Sequence, residues 1–474
     1  MDDIYNAFEK KNVELKKAEI NVPKSLYESV SAFGNTDGGT IYLGVQENKP
    51  QNIIVGVSNP EQYKKDILNT IHNKTKFSYP LLSDEDFEIL TIEDKKVLKI
   101  VVPEAPKNVK PLYLNGSISE SYGRSSDGDY VLTKNQIKYF LNDNNDDSYD
   151  SLPNIKGYSF DDVDKTTLAN YRNELNAVYP NNIYFGLSDY DFLVKNGIII
   201  NNEHGQPVLT NAGVILLTDY TKIITIFPSY LLDYQRIITG NSKWDNRIVS
   251  DEPTWSGNLY DFYQMVFKDL YSDIPSSYVS INGQNVGKSL MIDCFKEALA
   301  NAFSNHSFFL NIPLKVIRTI DSLVITNSGK MRVGKEQAIT GGVSIPRNHA
   351  IITFFRRIGV ADKSGTGIPK MYDAMKKNGY SNPIIVEESY PEEHTTLILR
   401  FVACSNNDLS EIEKEAMAII GNAGNNGISV VQIAQSLHVS RQYASSIVAS
   451  LVNKGLVVDN GKATKGKLYY LNVK

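Results

Sequence analysis

Apolar residues recur at helical spacing near the start of the chain and at strand spacing directly after it. In the segment SLYESVSAF, Leu26, Val30 and Phe33 follow one another at i, i+4 and i+7, which predicts one buried helix face. Asn21 is a plausible cap for this helix. The turn TDGG then leads into TIYLGV, and a second run, VLKIVV, ends at Pro103; both runs indicate strands. The mixture predicts an α+β domain.

The middle of the chain also alternates between helical and extended patterns. A helical pattern of apolar residues covers TTLANYRNELNAV, LSDYDFLVKNGII and the long run GKSLMIDCFKEALANAFSNHS. Strands are predicted at GVILLT, SYLLDYQRII, LKVIRTI and SLVITN, and the last two are joined at Asp321.

The last segment, from Glu411, has the pattern of a small DNA-binding domain. A helix, EIEKEAMAIIGNA, is followed by ISVVQIAQSL, by HVSRQYASSIVASLVNKG and by the hairpin LVVDNGKATKGKLYYLNV. Three helices and a β-hairpin in this order predict a winged helix-turn-helix.

Two polar stretches suggest where domains end. Residues 142–154 (NDNNDDSYDSLPN) are acidic and turn-rich, and residues 405–410 (SNNDLS) precede the last helical segment. We therefore expect an α+β multidomain protein. The predicted segments are a first domain at 1–143, a connecting α+β region at 154–290, a further domain at 291–403 and the winged helix at 408–474.

Composition narrows the class of protein. Hydrophobic residues make up 42% and charged residues 22% of the 474 positions, which argues against a disordered chain. The formal net charge of -5 argues against DNA coating by bulk charge, although a local basic face could still bind nucleic acid. Cys294 and Cys404 form no CxxC pair and the six histidines are scattered, so neither a disulfide framework nor a sequence-local metal cluster is expected.

The sequence offers no targeting or membrane segment that we can recognise. MDDIYNAFEKK is charged from its second residue, and no apolar run approaches the roughly 20 residues that span a bilayer. We expect a cytoplasmic protein that does not enter a membrane.

A dispersed motif of acids and glycines characterises the first domain. The segments EKKNVELKK, VSAFGNTDGGTIYLGVQE and IIVGV together resemble the Schlafen or AlbA-type module, and the resemblance continues to residue 142. The matching positions are Glu9, Glu14, Lys16, Asn35, Gly38, Gly39, Gly44, Val45, Glu47, Lys110, Pro111, Tyr113 and the YGRS run at 122–125.

This resemblance implies a phosphate-directed site. In nucleolytic Schlafens an acidic trio cuts RNA, including tRNA, so Glu9, Glu14 and Glu47 would bind the Mg²⁺ or Mn²⁺ that activates water. Lys16 and Arg124 would contact phosphate. Family members usually have Asp at the third acidic position, and the longer Glu47 puts its reach to the metal in doubt. The plainer interpretation is a solvated acidic face beside a Gly-Gly hairpin, in a domain that binds without cutting.

A second resemblance covers residues 168–401. The segments KEALANAF, VITNSGK, GGVSIPRNHAI and FFRRIGVADKSGTGIPKM are similar to the ATPase-like region of bacterial proteins in a divergent branch of the gyrase and histidine-kinase ATPase superfamily. It implies an α/β sandwich. Glu297 and Asn301 share one helix face because they are four residues apart. By resemblance, Glu297 would orient the attacking water and Asn301 would ligate the Mg²⁺ that bridges phosphates.

The same resemblance assigns nucleotide contacts. Gly365 and Gly367, ahead of an apolar helix start, would let a phosphate approach the helix N-terminus. Asn327 and Gly329 stand where superfamily ATPases have an Asp-x-Gly contact to adenine. The Asp is replaced by Asn, which can still hydrogen-bond a base.

The stretch 331–364 would act as a lid over the nucleotide, with Arg347 and Asn348 inside it. ATP is thus an expected ligand. Taken singly, Glu-x-x-x-Asn is usually a surface pair and Gly-Thr-Gly a turn, so the order and spacing of the segments carry the assignment. The chain has no Walker-type GxxxxGK[ST], which argues against a motor.

In the winged helix, recognition would come from the start of the third helix and from the wing. The groove residues would be Ser440, Arg441, Gln442 and Ser445, and the phosphate contacts would be Lys462, Lys465 and Lys467. The alternative is a module for dimerisation or another protein contact.

These features lead to competing functional hypotheses. The first is a nucleic-acid-directed effector or regulator, a metal-dependent endoribonuclease controlled by nucleotide; a role in defence is implied by the Schlafen resemblance alone. The second is a non-enzymatic, ATP-binding transcription regulator that binds duplex DNA. The third is an ATPase signalling protein. Partners would be RNA or duplex DNA, a nucleotide and, as a homo-oligomer, further copies of the chain.

Overall fold

The computed structural model describes residues 4–7, 9–125, 128–144, 148–239, 243–272, 280–281, 284–361, 365–401, 411–424, 427–437, 439–453, 456–460 and 467–471. Contacts divide the chain into two compact units, Met1–Ala374 with Ile385–Leu399, and Met375–Ile384 with Arg400–Lys474. The predicted winged helix lies in the second unit, and the segments predicted before residue 374 share the first. The boundaries drawn from the sequence stay predictions.

The N-terminal module, residues 4–144, is a mixed sheet covered by helices. Its helices are α1 (Ser25–Asn35), α2 (Pro60–Ile71) and α3 (Lys134–Asp143). Its strands are β1 (Val13–Lys16), β2 (Gly39–Leu43), β3 (Val45–Gln46), β4 (Ile53–Ile54), β5 (Phe87–Ile92), β6 (Lys95–Val102), β7 (Tyr113–Leu114), β8 (Ser117–Arg124) and β9 (Asp129–Val131). The main sheet has the order β1-β2-β6-β5, with β1 parallel to β2 and the other pairs antiparallel.

The helix α1 buries the face that the sequence predicts, since Leu26, Val30 and Phe33 are fully buried in the core of this module. It begins at Ser25, however, and its N-cap position is Lys24, so Asn21 does not cap it. The chain reverses after α1 at Gly38, whose φ of 71° favours glycine. This turn starts β2 beside β1 and thereby positions the acidic motif.

A second set of elements forms the middle of the chain. Its helices are α4 (Lys165–Val178), α5 (Asp189–Lys195), α6 (Asn211–Leu217), α7 (Tyr220–Ile226), α8 (Leu259–Ser272), α9 (Val286–Asn305), α10 (Lys335–Thr340), α11 (His349–Arg357) and α12 (Gly367–Lys377). Its strands are β10 (Ile199–Asn201), β11 (Pro207–Leu209), β12 (Leu232–Ile237), β13 (Asn246–Val249), β14 (Ser280–Ile281), β15 (Gln284–Asn285), β16 (Leu314–Thr319), β17 (Ser322–Ser328), β18 (Ile384–Glu388) and β19 (His394–Arg400).

A six-stranded sheet organises this part of the chain, in the order β13-β12-β16-β17-β19-β18. Its strands β12 and β16 are parallel, and β16 pairs with β17 in antiparallel register. The long helix α9 packs against β17, α8 and α11. This layer of helix on sheet is the frame on which Glu297 and Asn301 are held.

One segment that the sequence predicts as a strand forms a helix in the structure. The run GVILLT lies mostly in α6, all of whose residues are buried. A short run that is apolar at every position has no alternation to separate a buried strand from a buried helix. The local signal is the cap instead: Thr210 accepts a hydrogen bond from the backbone N–H of Gly213, which starts the helix.

The C-terminal segment forms the predicted winged helix. Its elements are α13 (Glu411–Ala423), α14 (Val430–Ser436), α15 (Arg441–Asn453), β20 (Val457–Asp459) and β21 (Tyr469–Leu471). The strands β20 and β21 are antiparallel, and Ile420, Ile433, Ile447 and Leu451 lie in a shared core. The α+β multidomain class is thus confirmed. In the described part of the chain, no helix combines the length and apolar character needed to cross a membrane.

Candidate functional site

The three acids of the N-terminal motif lie in one neighbourhood. Glu14 is on β1, Glu9 precedes that strand and Glu47 directly follows β3. A carboxylate oxygen of Glu47 accepts from the backbone N–H of Glu9 at 3.4 Å, and Glu9 accepts from the backbone N–H of Leu15 at 3.4 Å. Partial burial, and then the nearby charge of Glu14, raise the pKa of Glu9. The three acids are therefore neighbours in space.

Protein cations already neutralise the central acid of this group. Lys16 Nζ lies 2.8 Å from Glu14 Oε1, and Arg124 Nη1 lies 2.6 Å from Glu14 Oε2. Among the described residues, no three His, Cys, Asp or Glu side chains are arranged so that they could hold a metal ion. The expected Mg²⁺ or Mn²⁺ site at Glu9, Glu14 and Glu47 does not fit this arrangement, because both carboxylate oxygens of Glu14 are engaged in ion pairs.

The Arg124 side chain is also not placed as the sequence suggested. It is completely buried, and its guanidinium binds Asp129 at 2.8 Å besides Glu14. It also donates to the backbone carbonyls of Lys10 and Val13 at 3.0 and 2.9 Å. A phosphate cannot reach a guanidinium in this position. Arg124 instead joins β8 to β1 and holds Glu14 in place.

The exposed cations near this motif are lysines that the sequence argument passed over. Lys16 is mostly buried and is held by Glu14 and Ser25, whereas Lys10 and Lys24 are exposed. In the described part of the chain, neither of these two lysines has an ion pair. Lys10 lies in the segment EKKNVELKK and Lys24 lies outside it, whereas the family pattern points to Lys16.

The second group of predicted residues meets at the edge of a cavity. Glu297 and Asn301 lie on α9, and the chain at Gly367, where α12 begins, runs directly past them. A β-carbon at Gly367 would overlap Glu297 Oε2 and lie 3.1 Å from Asn301 Nδ2. All three residues line a cleft of about 650 Å³, together with Gly365. The structure thus brings together residues that are about 70 positions apart in the sequence.

Burial in this cleft raises the pKa of Glu297 to about 7, although Lys370 and Arg356 oppose the shift. A carboxyl group that titrates near neutral pH can accept a proton from water. Asn301 donates its Nδ2 to the carbonyl of Glu297 at 2.9 Å. Its Oδ1 has no protein partner among the described residues, so this oxygen can bind a cation.

A second cavity, of about 430 Å³, adjoins the cleft and shares Asn301, Asn305, Met331 and Ile368 with it. Its further lining is largely apolar: Ala298, Ala302, Ile325, Met371, Ile385 and Leu397, with Asn327 and Thr395 as polar groups. A polar cleft beside an apolar pocket is the usual form of a site for an amphipathic small molecule.

Gly365 and Gly329, two further glycines predicted to contact the nucleotide, have different roles in the structure. Gly365 has a φ of 68°, and a β-carbon there would overlap the backbone of Val343, so the glycine allows the two chain segments to meet beside the cleft. Gly329 borders neither cavity. Its N–H donates to the carbonyl of Glu393 at 2.6 Å and its carbonyl accepts from the hydroxyl of Thr395 at 2.9 Å, so it connects the end of β17 to the start of β19.

Only part of the predicted lid, residues 331–364, borders the cleft. Within 331–364, Met331, Val343 and Arg356 border the cleft. Arg347 instead is buried and binds Asp143, and Asn348 donates to the backbone carbonyls of Phe303 and His306. These two residues anchor the segment. Residues 362–364 lie outside the described residues.

In the winged helix, Ser440 caps α15, since its hydroxyl accepts from the backbone N–H of Tyr443 at 3.2 Å. Arg441, Tyr443 and Ser445 are exposed at the start of this helix. Lys467 Nζ lies 2.8 Å from Asp459 Oδ2, within the wing. The side chain of Gln442 and residues 461–466, with Lys462 and Lys465, lie outside the described residues.

Comparisons with known proteins agree with an N-terminal module, an ATPase-like region and a winged helix in this order. Four family descriptions match successive parts of the chain: "Schlafen, AlbA_2" at 9–133, a domain of unknown function (DUF8451) at 138–233, "Putative ATP-dependent DNA helicase recG C-terminal" at 313–398, and "MarR family" at 407–463. They confirm the expected order of a Schlafen module, an ATPase-like domain and a winged helix. A search among curated proteins gave no match.

Two solved structures also resemble the chain. The DIP2311 protein from Corynebacterium diphtheriae is 17% identical, with a TM-score of 0.41 over 97% of this chain and 92% of that one. The N-terminal domain of a putative ATP-dependent DNA helicase RecG-related protein from Nitrosomonas europaea is 26% identical, with a TM-score of 0.20 over 27% of this chain and 86% of that one.

Proposed function

We propose that this chain, a nucleic-acid-related regulator or effector with a Schlafen, an ATPase-like and a winged-helix domain in that order, is a nucleotide-responsive DNA-binding regulator. The observation that carries the proposal is the meeting of Glu297, Asn301 and Gly367 at one cleft, with an apolar pocket beside it. A regulator needs a ligand site and a DNA-binding surface, and the described residues include a candidate for each.

The two cavities suit the two ends of a nucleotide. The backbone at the start of α12 borders the polar cleft, and a helix N-terminus attracts phosphate. The apolar pocket suits a flat base, whose polar edge Asn327 and Thr395 could recognise. Mg²⁺ would take Asn301 as its protein ligand and would neutralise part of the phosphate charge. Glu297, with its raised pKa, is the residue that would orient a water toward the phosphates.

The N-terminal module enters this proposal as a binding domain. Its central acid, Glu14, is paired with Lys16 and Arg124, which supports binding over metal-dependent cleavage. The test is incubation of the full chain with tRNA and with Mg²⁺ or Mn²⁺, and we expect the RNA to stay intact. Cleavage that disappears in Glu9→Ala would restore the ribonuclease hypothesis.

Calorimetric titration of the full chain with a non-hydrolysable ATP analogue and Mg²⁺ tests the ligand site. We expect Asn301→Ala to weaken binding roughly tenfold or more, as for loss of a charge-assisted contact. Glu297→Gln should bind as the wild type does. Asn173→Ala is the matched control, because Asn173 is an exposed asparagine on α4 that does not border the cleft. Absence of binding to the wild type would refute the proposed site.

A further inference from the structure

Arg332, a residue at the wall of the cleft, forms an ion pair with Asp143. Arg332 borders the cleft and also a further cavity that Asp143 lines, and its side chain is 14% exposed. Its Nε donates to Asp143 Oδ1 at 2.8 Å, and its Nη2 donates to the backbone carbonyl of the same residue at 3.0 Å. Among the described residues, Nη1 of Arg332 has no hydrogen-bond partner. One side of this guanidinium is therefore bound, and one donor is unused on a residue that borders the cleft.

The carboxylate that holds Arg332 has a second cation. Arg347 Nε lies 2.8 Å from Asp143 Oδ1, and Arg347 Nη2 lies 3.2 Å from Asp143 Oδ2. Arg347 is buried and also donates to the backbone carbonyl of Lys330 at 2.9 Å. If Arg332 turned away, Asp143 would keep a two-point partner and would not be left as an unpaired buried charge. Breaking the Arg332–Asp143 contact therefore costs less free energy than breaking the Arg347–Asp143 contact.

Asp143 also connects the cleft to the N-terminal module, since it is the last residue of α3. The two residues before Arg332 contact the same module. Lys330 Nζ lies 2.7 Å from Asp37 Oδ1, and the carbonyl of Met331 accepts a hydrogen bond from Lys107. Met331 itself borders both cavities. Three consecutive residues therefore join the wall of the cleft to the N-terminal module.

We propose that Arg332 is a phosphate-binding residue of the cleft, and that a bound polyphosphate takes it from Asp143 and so loosens the end of α3. This inference rests on the proposed nucleotide function of the cleft. A guanidinium presents paired N–H donors that match a phosphate as well as a carboxylate, and the phosphate carries more charge. Ligand binding and the α3 contact then compete for one side chain, which couples the two regions.

The first test compares affinities for a non-hydrolysable ATP analogue with Mg²⁺ in the full chain. Arg332→Gln should weaken binding roughly tenfold or more. Asp143→Asn should strengthen it several-fold, because the competing carboxylate is gone, and should have no effect in the Arg332→Gln background. Arg172→Gln is the matched control: Arg172 also binds a carboxylate and a backbone carbonyl, those of Asp189 and Leu187, and lies outside the cleft.

A second measurement does not depend on the Asp143 variant, which removes a partner of buried Arg347 and could fail to fold. Hydrogen exchange of the wild-type chain should become faster at the end of α3 when the ATP analogue saturates the cleft. The change should be absent in saturated Arg332→Gln.

The outcomes separate the two proposals. If the wild type binds no nucleotide, the proposed ligand site fails and this inference fails with it. If the wild type binds but Arg332→Gln binds equally well, Arg332 is only a structural contact and the ligand site stands. Unchanged exchange in α3 at saturation would overturn the coupling.

Discussion

The acidic motif near the N-terminus and the cleft beside α9 differ in how their polar residues are satisfied. Around Glu14, the predicted site residues bind one another: the acid takes Lys16 and Arg124 as partners at 2.8 and 2.6 Å. Around Glu297, the predicted residues face a common cavity, and Asn301 keeps an unpartnered oxygen within the described part of the chain. Similar residue types can thus build a core contact or a ligand site, and the presence of space decides which.

The largest effect is expected from Arg124. Arg124→Met leaves Glu14 and Asp129 without their shared cation in a buried position, which should cost about 3–5 kcal/mol of folding free energy. The measurement is the thermal midpoint of the full chain. Lys17→Met changes an exposed lysine of the same motif and should leave the midpoint nearly unchanged. A stable Arg124→Met protein that had lost nucleic-acid binding would instead make Arg124 a ligand contact.

The next effect concerns the start of α12. Gly367→Ala places a methyl group against Glu297 and Asn301, so the affinity for a nucleotide analogue should fall by about tenfold or more. Gly334→Ala is the control, because Gly334 precedes α10 and has open space where its β-carbon would lie. Equal affinity in Gly367→Ala and Gly334→Ala would show that the close approach at Gly367 has no part in binding.

A pH dependence follows from Glu297. Burial raises its pKa from 4.5 to about 7, so the folded protein holds this proton more tightly than the unfolded chain does. The resulting stabilisation is complete below pH 4.5 and is lost as the pH rises through 7, by about 3 kcal/mol.

Thermal midpoints of the wild type and Glu297→Gln between pH 5 and pH 8 measure this contribution. The two curves should diverge as the pH rises, with the variant retaining more stability. Glu61→Gln, a change at an exposed acid in the first turn of α2, should instead give a curve parallel to the wild type. A parallel Glu297→Gln curve would contradict the titration of Glu297 near neutral pH.

The last predictions concern the winged helix, where the same contrast recurs. Arg441 is exposed at the start of α15, whereas Lys467 is paired with Asp459. Arg441→Ala should weaken sequence preference by about 1–3 kcal/mol at one base pair. Lys467→Ala should change the salt slope of binding by less than about one unit, because part of its charge is already neutralised.

Selection from random duplexes followed by salt titration distinguishes these two roles. A larger loss of sequence preference in Lys467→Ala than in Arg441→Ala would reverse the assignment. If the full chain ignores duplex DNA at low salt and associates with itself, the winged helix is a dimerisation module.

Much of the fold could be predicted because its signals are local. The face of α1, the long helix α9 and the order of the winged helix follow from periodicity within short segments. The run GVILLT could not be assigned in this way, since an unbroken apolar run lacks a period. The comparisons confirm the domain order. The nucleotide and nucleic-acid roles of individual residues stay predictions.

By itself, the sequence determined which residues share an element, such as Glu297 and Asn301 on one helix face and Arg441 at the start of another helix. Only the tertiary structure decided which side chains meet across elements. In the folded chain, Arg124 pairs with Glu14 and Gly367 lies against Glu297. Arg347, which the sequence predicted in the lid, binds Asp143. The physical reason is that helix and strand periods act over a few residues, whereas ion pairs and cavities depend on distant segments that packing brings together.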